Sequence, residues 1–173
     1  IISSCIEQHT GRVVDSPGDN ILAEFASAVD AVQCAVEIQG LLKKGNDRFV
    51  EDRRLLFRIG VNIGDVVHDG DRIYGDGVNI ASRIEGLADP GGVCVSRNAY
   101  DHIKKKLGFV YEYLGEQPVK NIDEPVRIYK VLMEPVDAGK QVDNERRPSK
   151  AKWIVAMTAV TSIIIFVIVW QLF

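Results

Sequence analysis

The chain ends in a run, Trp153 to Phe173, that reads WIVAMTAVTSIIIFVIVWQLF and holds no charged residue. A bilayer core about 30 Å thick is crossed by roughly 20 apolar residues wound as a helix. Lipid offers no partner to backbone groups, so such a run must bond within itself. Trp153 and Trp170 stand near its two ends, where aromatic rings favour the membrane interface. A helix buried in a soluble core is usually shorter and amphipathic. Residues 153–173 are therefore expected to form one transmembrane helix. Arg146, Arg147, Lys150 and Lys152 lie just ahead of it, and basic flanks stay on the cytoplasmic side. Residues 135–152, polar and basic with Pro148 among them, read as a linker, which leaves residues 1–134 as a cytoplasmic domain.

The composition of the 173-residue chain, 46% hydrophobic and 26% charged, suits a globular fold. A net charge of −3 argues against nucleic acid as a partner, since such binders are usually basic. Cys5, Cys34 and Cys94 are odd in number, far apart in sequence and without CxxC spacing, which reads as reduced thiols. His9, His68 and His102 are equally scattered, so the spacing gives a zinc site little support. Ile1 is not an initiator Met and Phe173 closes the apolar run, so both ends are expected to be cuts in a longer protein.

Within residues 1–134 strand and helix patterns interleave. Arg12-Val13-Val14 and Ile21 to Phe25 flank the turn-rich Ser16-Pro17-Gly18-Asp19-Asn20, predicting a short hairpin. Ser27 with Asp30 resembles a capping box, and Ala28, Ala31, Ala35, Ile38 and Leu42 recur at helical spacing up to Gly45-Asn46-Asp47. Leu55, Phe57, Ile59, Val61 and Ile63 alternate with other residues, predicting a strand with one buried face. Asp69-Gly70 marks a hairpin turn after it. A second helix is expected from Asp76, burying Ile80, Ile84 and Leu87. Gly91-Gly92 precedes a strand at Val93-Cys94-Val95, then a helix near Tyr100 to Leu107 and strands at Phe109–Leu114 and Val126–Leu132. The expected architecture is an α+β sandwich, a mainly antiparallel sheet covered by helices on one face.

Four stretches in order carry a resemblance to a known family. They are Arg12 to Phe25, Phe57 to Val66, Tyr74-Gly75-Asp76-Gly77-Val78-Asn79-Ile80-Ala81-Ser82-Arg83-Ile84, and Pro90 to Ser96. Together, over roughly residues 1–134, they resemble the catalytic domain of class III adenylate/guanylate cyclases, of the bacterial membrane-tethered type. The resemblance implies a ferredoxin-like fold that dimerises, most simply as a homodimer, with active sites between protomers. It implies that ATP, or alternatively GTP, is cyclised with loss of pyrophosphate for intracellular signalling. That reaction calls for Mg²⁺ or Mn²⁺ to neutralise phosphate oxygens and for an aligned nucleophile.

The resemblance also assigns roles. Asp19 matches the second of two metal-binding aspartates; a carboxylate suits a hard cation, although Asp also simply supports turns. Asn79 and Arg83, four apart on one helix, match the residues that orient the ribose and stabilise transition-state phosphate charge. The bland alternative for Arg83 is a surface ion pair with a neighbouring carboxylate. Lys120 lies where the family often keeps a lysine for the triphosphate, and a solvated loop lysine is the other reading.

The chain departs from the pattern in two places. The family's first metal aspartate lies on an opening strand that would precede Ile1, so the two-metal site and the sheet are expected to be incomplete without upstream sequence. Where adenylate-specific members carry a lysine and an aspartate, this chain has Asp15 and Arg72. That pair is open to two readings, contact with a purine edge or a bridge between strands. The functional alternative to an enzyme is an inactive cyclase-like domain that senses nucleotide or regulates by dimerising.

Overall fold

The computed structural model describes residues 1–133 except 17, 19, 71 and 119–124, and describes Arg72 by its backbone. The linker and the membrane run expected beyond residue 134 lie outside the described residues. Among the described residues no helix is long and apolar enough to cross a membrane.

A short helix α1 (Ile2–Gln8) leads into the hairpin β1 (Gly11–Asp15) and β2 (Leu22–Phe25), paired antiparallel as the turn-rich sequence predicts. Helix α2 (Ala28–Asn46) follows, and the Ser27 side chain accepts from the N–H groups of Val29 and Asp30. The capping box is only half present. Asp is one methylene shorter than the Glu that closes such a box, and the Asp30 carboxylate instead accepts the Thr10 hydroxyl at 3.5 Å.

The expected strand across 55–63 is much shorter, spanning β3 (Ile59–Val61) only. Two buried polar side chains of α2 account for its start. Asn46 exchanges two hydrogen bonds with the Leu55 backbone, at 2.8 and 2.9 Å, and Gln39 Nε2 donates to the carbonyls of Phe57 and Gly92, each at 3.0 Å. Backbone groups that a longer ladder would use are thus satisfied by side chains. A second hairpin pairs β4 (Val67–Asp69) with β5 (Arg72–Tyr74) around Gly70 at φ 60°, so the Asp69-Gly70 turn signal is real but joins two new short strands. Then come α3 (Asp76–Leu87), β6 (Val93–Ser96), α4 (Arg97–Ile103), β7 (Val110–Gln117) and β8 (Val126–Leu132). Helix α4 starts before the predicted Tyr100 because the Ser96 side chain caps it by accepting from the Ala99 N–H.

The main sheet has the order β3-β6-β8-β7; β3–β6 is parallel, and the β6–β8 and β8–β7 pairs are antiparallel. Among the described residues the β1–β2 hairpin shares no ladder with it. Helices cover both faces, not one. Val93 and Val95 pack with Val32 and Ala35 of α2 and Ala99 and Ile103 of α4. Cys94, between them on the opposite face, packs with Ile84, Ala88 and Ile128 beneath α3. An apolar run without polar alternation is the signature of a strand buried on both sides. In α3 the stripe continues from Ile84 to Ala88, one turn on, and leaves Leu87 42% exposed.

Candidate active site

Helix α3 is held by glycines. Gly60 of β3 lies directly beneath it, where a Cβ would stand 2.4 Å from both the Ala81 oxygen and the Glu85 nitrogen. The strand face expected to be open is therefore covered by the helix backbone. At the N-terminus of α3, Gly75 caps with φ 131°, a conformation that L side chains rarely adopt. A Cβ on Gly77 would meet the Asp65 oxygen at 2.9 Å, and Asn62 Nδ2 donates to the Gly77 carbonyl at 3.1 Å. The segment 62–66 thus clamps the first turn of α3 and fixes the helix's rotation.

That rotation decides where the candidate residues stand. Asn79 and Arg83, one turn apart on α3, are both exposed, while Ile84 faces the core. Among the described residues neither side chain has a hydrogen-bond or ion-pair partner, so the surface ion pair considered for Arg83 does not form there. A guanidinium left in solvent stays charged and keeps its planar fork of donors available.

Asp15 ends β1, half-buried beside a bulge in the β1–β2 register, and its Oδ1 accepts the Ser16 N–H at 2.8 Å. Arg72 begins β5 opposite Asp69. Strands β1 and β5 pack against one another, and His68 Nε2 stands 3.9 Å from Glu24 Oε2, linking the hairpins. The hairpins that carry Asp15 and Arg72 are therefore neighbours. Asp19 and Lys120 lie outside the described residues. The Ser16 hydroxyl donates to the Asn20 carbonyl at 3.2 Å, and Gly18 stands at φ 66°.

Sequence reasoning found Asn79 and Arg83 but missed what positions them: Asn62, Gly60, Gly64 and Gly77. For Gly60, Gly64 and Gly77 the signal was present as glycines inside otherwise regular patterns, which mark close backbone approach, whereas Asn62 carried none.

The family described as the adenylate and guanylate cyclase catalytic domain matches residues 2–133. The chain is 38% identical over 144 residues to a putative adenylate cyclase 3 of Rhizobium meliloti, covering 83% of this chain and 24% of that relative's length. A crystal structure of an adenylate/guanylate cyclase/hydrolase from Silicibacter pomeroyi superposes with a TM-score of 0.73 at 36% identity, over 76% of this chain and 78% of that one. The guanylate cyclase domain of Catenaria anguillulae in complex with GTP superposes with a TM-score of 0.59 at 26% identity, over 76% and 77%. The chain belongs to the adenylate and guanylate cyclase catalytic domain family.

Proposed function

We propose that this domain cyclises a purine nucleoside triphosphate, ATP by preference and GTP as the alternative, to the 3′,5′-cyclic nucleotide and pyrophosphate. The observation that carries the reading is the pair Asn79 and Arg83, exposed and unpartnered among the described residues on a helix whose placement is set by glycine contacts. In the reaction the ribose 3′-oxygen attacks the α-phosphorus, its proton leaves, and the bond to the bridging oxygen of pyrophosphate breaks. Asn79 would hold the ribose by its amide. Arg83 would meet the charge that grows on the phosphate oxygens, a role in which donors aimed at developing charge are worth most.

Asp19 is the candidate metal ligand. Its carboxylate is the hard oxygen donor that a hard cation takes. When bound, Mg²⁺ or Mn²⁺ supplies neutralisation of the phosphate oxygens. Asp15 and Arg72 are assigned to the base edge, supported by the packing of β1 on β5, and Lys120 to the triphosphate. The solvent-facing placement of Asn79 and Arg83 suits a site completed by a second protomer, hence a homodimer.

The domain boundaries proposed remain 1–134 for the cyclase domain, 135–152 for the linker and 153–173 for a membrane helix that keeps the domain cytoplasmic. The test is product analysis on the full chain, incubated with ATP or GTP and Mn²⁺. Cyclic AMP that vanishes in Asp19→Ala supports the reading as stated. Cyclic GMP alone would assign Asp15 and Arg72 to guanine. A folded dimer that yields neither would replace the enzyme with a regulatory domain.

A further inference from the structure

Cys5 and Cys34 are 29 positions apart in sequence, yet their sulfurs lie 3.9 Å from one another between α1 and α2. Each helix places a second donor beside its cysteine. His9, which caps the C-terminus of α1, follows Cys5 by four and donates its N–H to the Cys5 carbonyl at 3.1 Å, while Glu37 follows Cys34 by three on α2, a spacing that puts those two on one helix face. His9 Nε2 and Glu37 Oε2 are 2.8 Å apart. One donor atom each from Cys5, His9 and Glu37 lie within 4.8 Å of one another.

We propose that Cys5, His9 and Glu37 form a binding site for a zinc-class divalent cation that joins α1 to α2, separate from the nucleotide site. One thiolate, one imidazole and one carboxylate are the donor types that zinc takes, and sites with three protein ligands leave a position for water. Donors about 2.0–2.3 Å from such an ion stand about 3.3–3.8 Å from one another. The 2.8 Å between His9 and Glu37 falls short of that range, and Cys5 lies within 4.8 Å of both. His9 and Glu37 open by about half an ångström to admit the ion, and the exposed ion pair they give up is worth little.

Access and enclosure are both provided. The Cys5 and Cys34 side chains are buried, whereas His9 and Glu37 are 21% and 48% exposed and form the entrance. Cys5 and Cys34 share a buried apolar cluster with Ile6 and Ile38, against which Leu42 and Phe25 pack. Cys34 contributes a neutral sulfur beside Cys5, which keeps water from the thiolate side. Binding exchanges the Cys5 S–H proton, released to solvent, for the sulfur–metal bond. The site does not depend on the cyclase reading, since none of its residues belongs to the nucleotide constellation. It ties α1 to α2 immediately before β1, the strand that ends in Asp15.

The experiment uses the full chain, stripped with a chelator and kept reduced by a phosphine, and titrates it with Co²⁺ alone. A thiolate-to-cobalt charge-transfer band in the near ultraviolet should saturate at one ion per chain and be erased by Zn²⁺. Cys5→Ser should abolish the band. His9→Ala and Glu37→Gln change side chains at the entrance whose ion pair is worth little, so both should keep the metal-free unfolding midpoint while weakening Co²⁺ at least tenfold. The proposal is overturned by the absence of the band, by a band that survives Cys5→Ser, or by either entrance variant binding as tightly as the unmodified chain.

Discussion

Gly60 on β3 and Glu85 on α3 approach so closely that a methyl group on Gly60 would lie 2.4 Å from the Glu85 backbone nitrogen. The strand and the helix meet through their main chains. This contact sets the height of α3 above the sheet, and with it the position of Asn79 and Arg83. Gly60→Ala should therefore cost at least about 1–3 kcal/mol, the usual range for overpacking. It should also lower turnover in the molecules that remain folded, because the helix has to move away. Urea unfolding and activity per folded molecule, measured on the same preparation, check both parts.

Tyr111 buries its hydroxyl without a partner among the described residues, while its ring packs edge-on against Tyr100 at 5.2 Å between centroids. Phe keeps the ring contact and removes the unsatisfied group. Tyr111→Phe should stabilise the domain by about 1 kcal/mol at neutral pH, read as a higher urea midpoint with an unchanged slope.

Burial pushes the Cys34 thiol up to about 12, the Cys94 thiol up to about 11 and the Tyr111 phenol up to about 12. Each group then keeps its proton in the folded chain at a pH where the unfolded chain has lost it. Their contribution is fully present below the unfolded values, near 9 for the thiols and 10 for the phenol. It is lost as pH rises toward 11–12. Stability should fall by about 1.4 kcal/mol per pH unit for each such group above its unfolded value. Urea midpoints across pH 8 to about 11 should slope downward, and less steeply above pH 10 in Tyr111→Phe.

Much of this organisation was legible in the sequence because it rests on local rules. The turn residues between Asp15 and Ile21 predict the first hairpin, and the spacing of Ala28, Ala35, Ile38 and Leu42 predicts α2. What stayed hidden depends on partners distant in sequence. Gln39 looks like a surface residue of an amphipathic helix and Asn46 like part of its stop, yet both are buried and shorten β3 by bonding its flanking backbone. Gly60 reads as the open face of a strand until α3 is placed over it. Cys5 and Cys34 seem unrelated until α1 folds onto α2. The candidate site divides along the same line: Asn79 and Arg83 are readable as one helix face, whereas the clamp of Asn62, Gly64 and Gly77 is visible only in three dimensions.

The proposed membrane tether makes its own prediction. The full chain expressed in cells should stay in the membrane pellet through alkaline carbonate extraction and be released by detergent. Ile164→Asp places a charge near the centre of the run, at a cost of about 2.5–3.5 kcal/mol, and should shift a substantial fraction to the soluble pool. Release of the unmodified chain by carbonate would contradict the spanning reading.

Arg83 is the position at which catalysis and folding separate most cleanly. Arg83 is exposed and unpartnered among the described residues, so Arg83→Ala should move stability by no more than about 0.5 kcal/mol. The same change should lower kcat by about 10²–10³, the cost of losing one donor aimed at transition-state charge. The decisive measurement is kcat and the thermal midpoint of Arg83→Ala beside the unmodified protein, with Mn²⁺ and saturating triphosphate. A collapse in kcat with an unmoved midpoint is the predicted result; cyclic nucleotide formed at the unmodified rate would contradict the account.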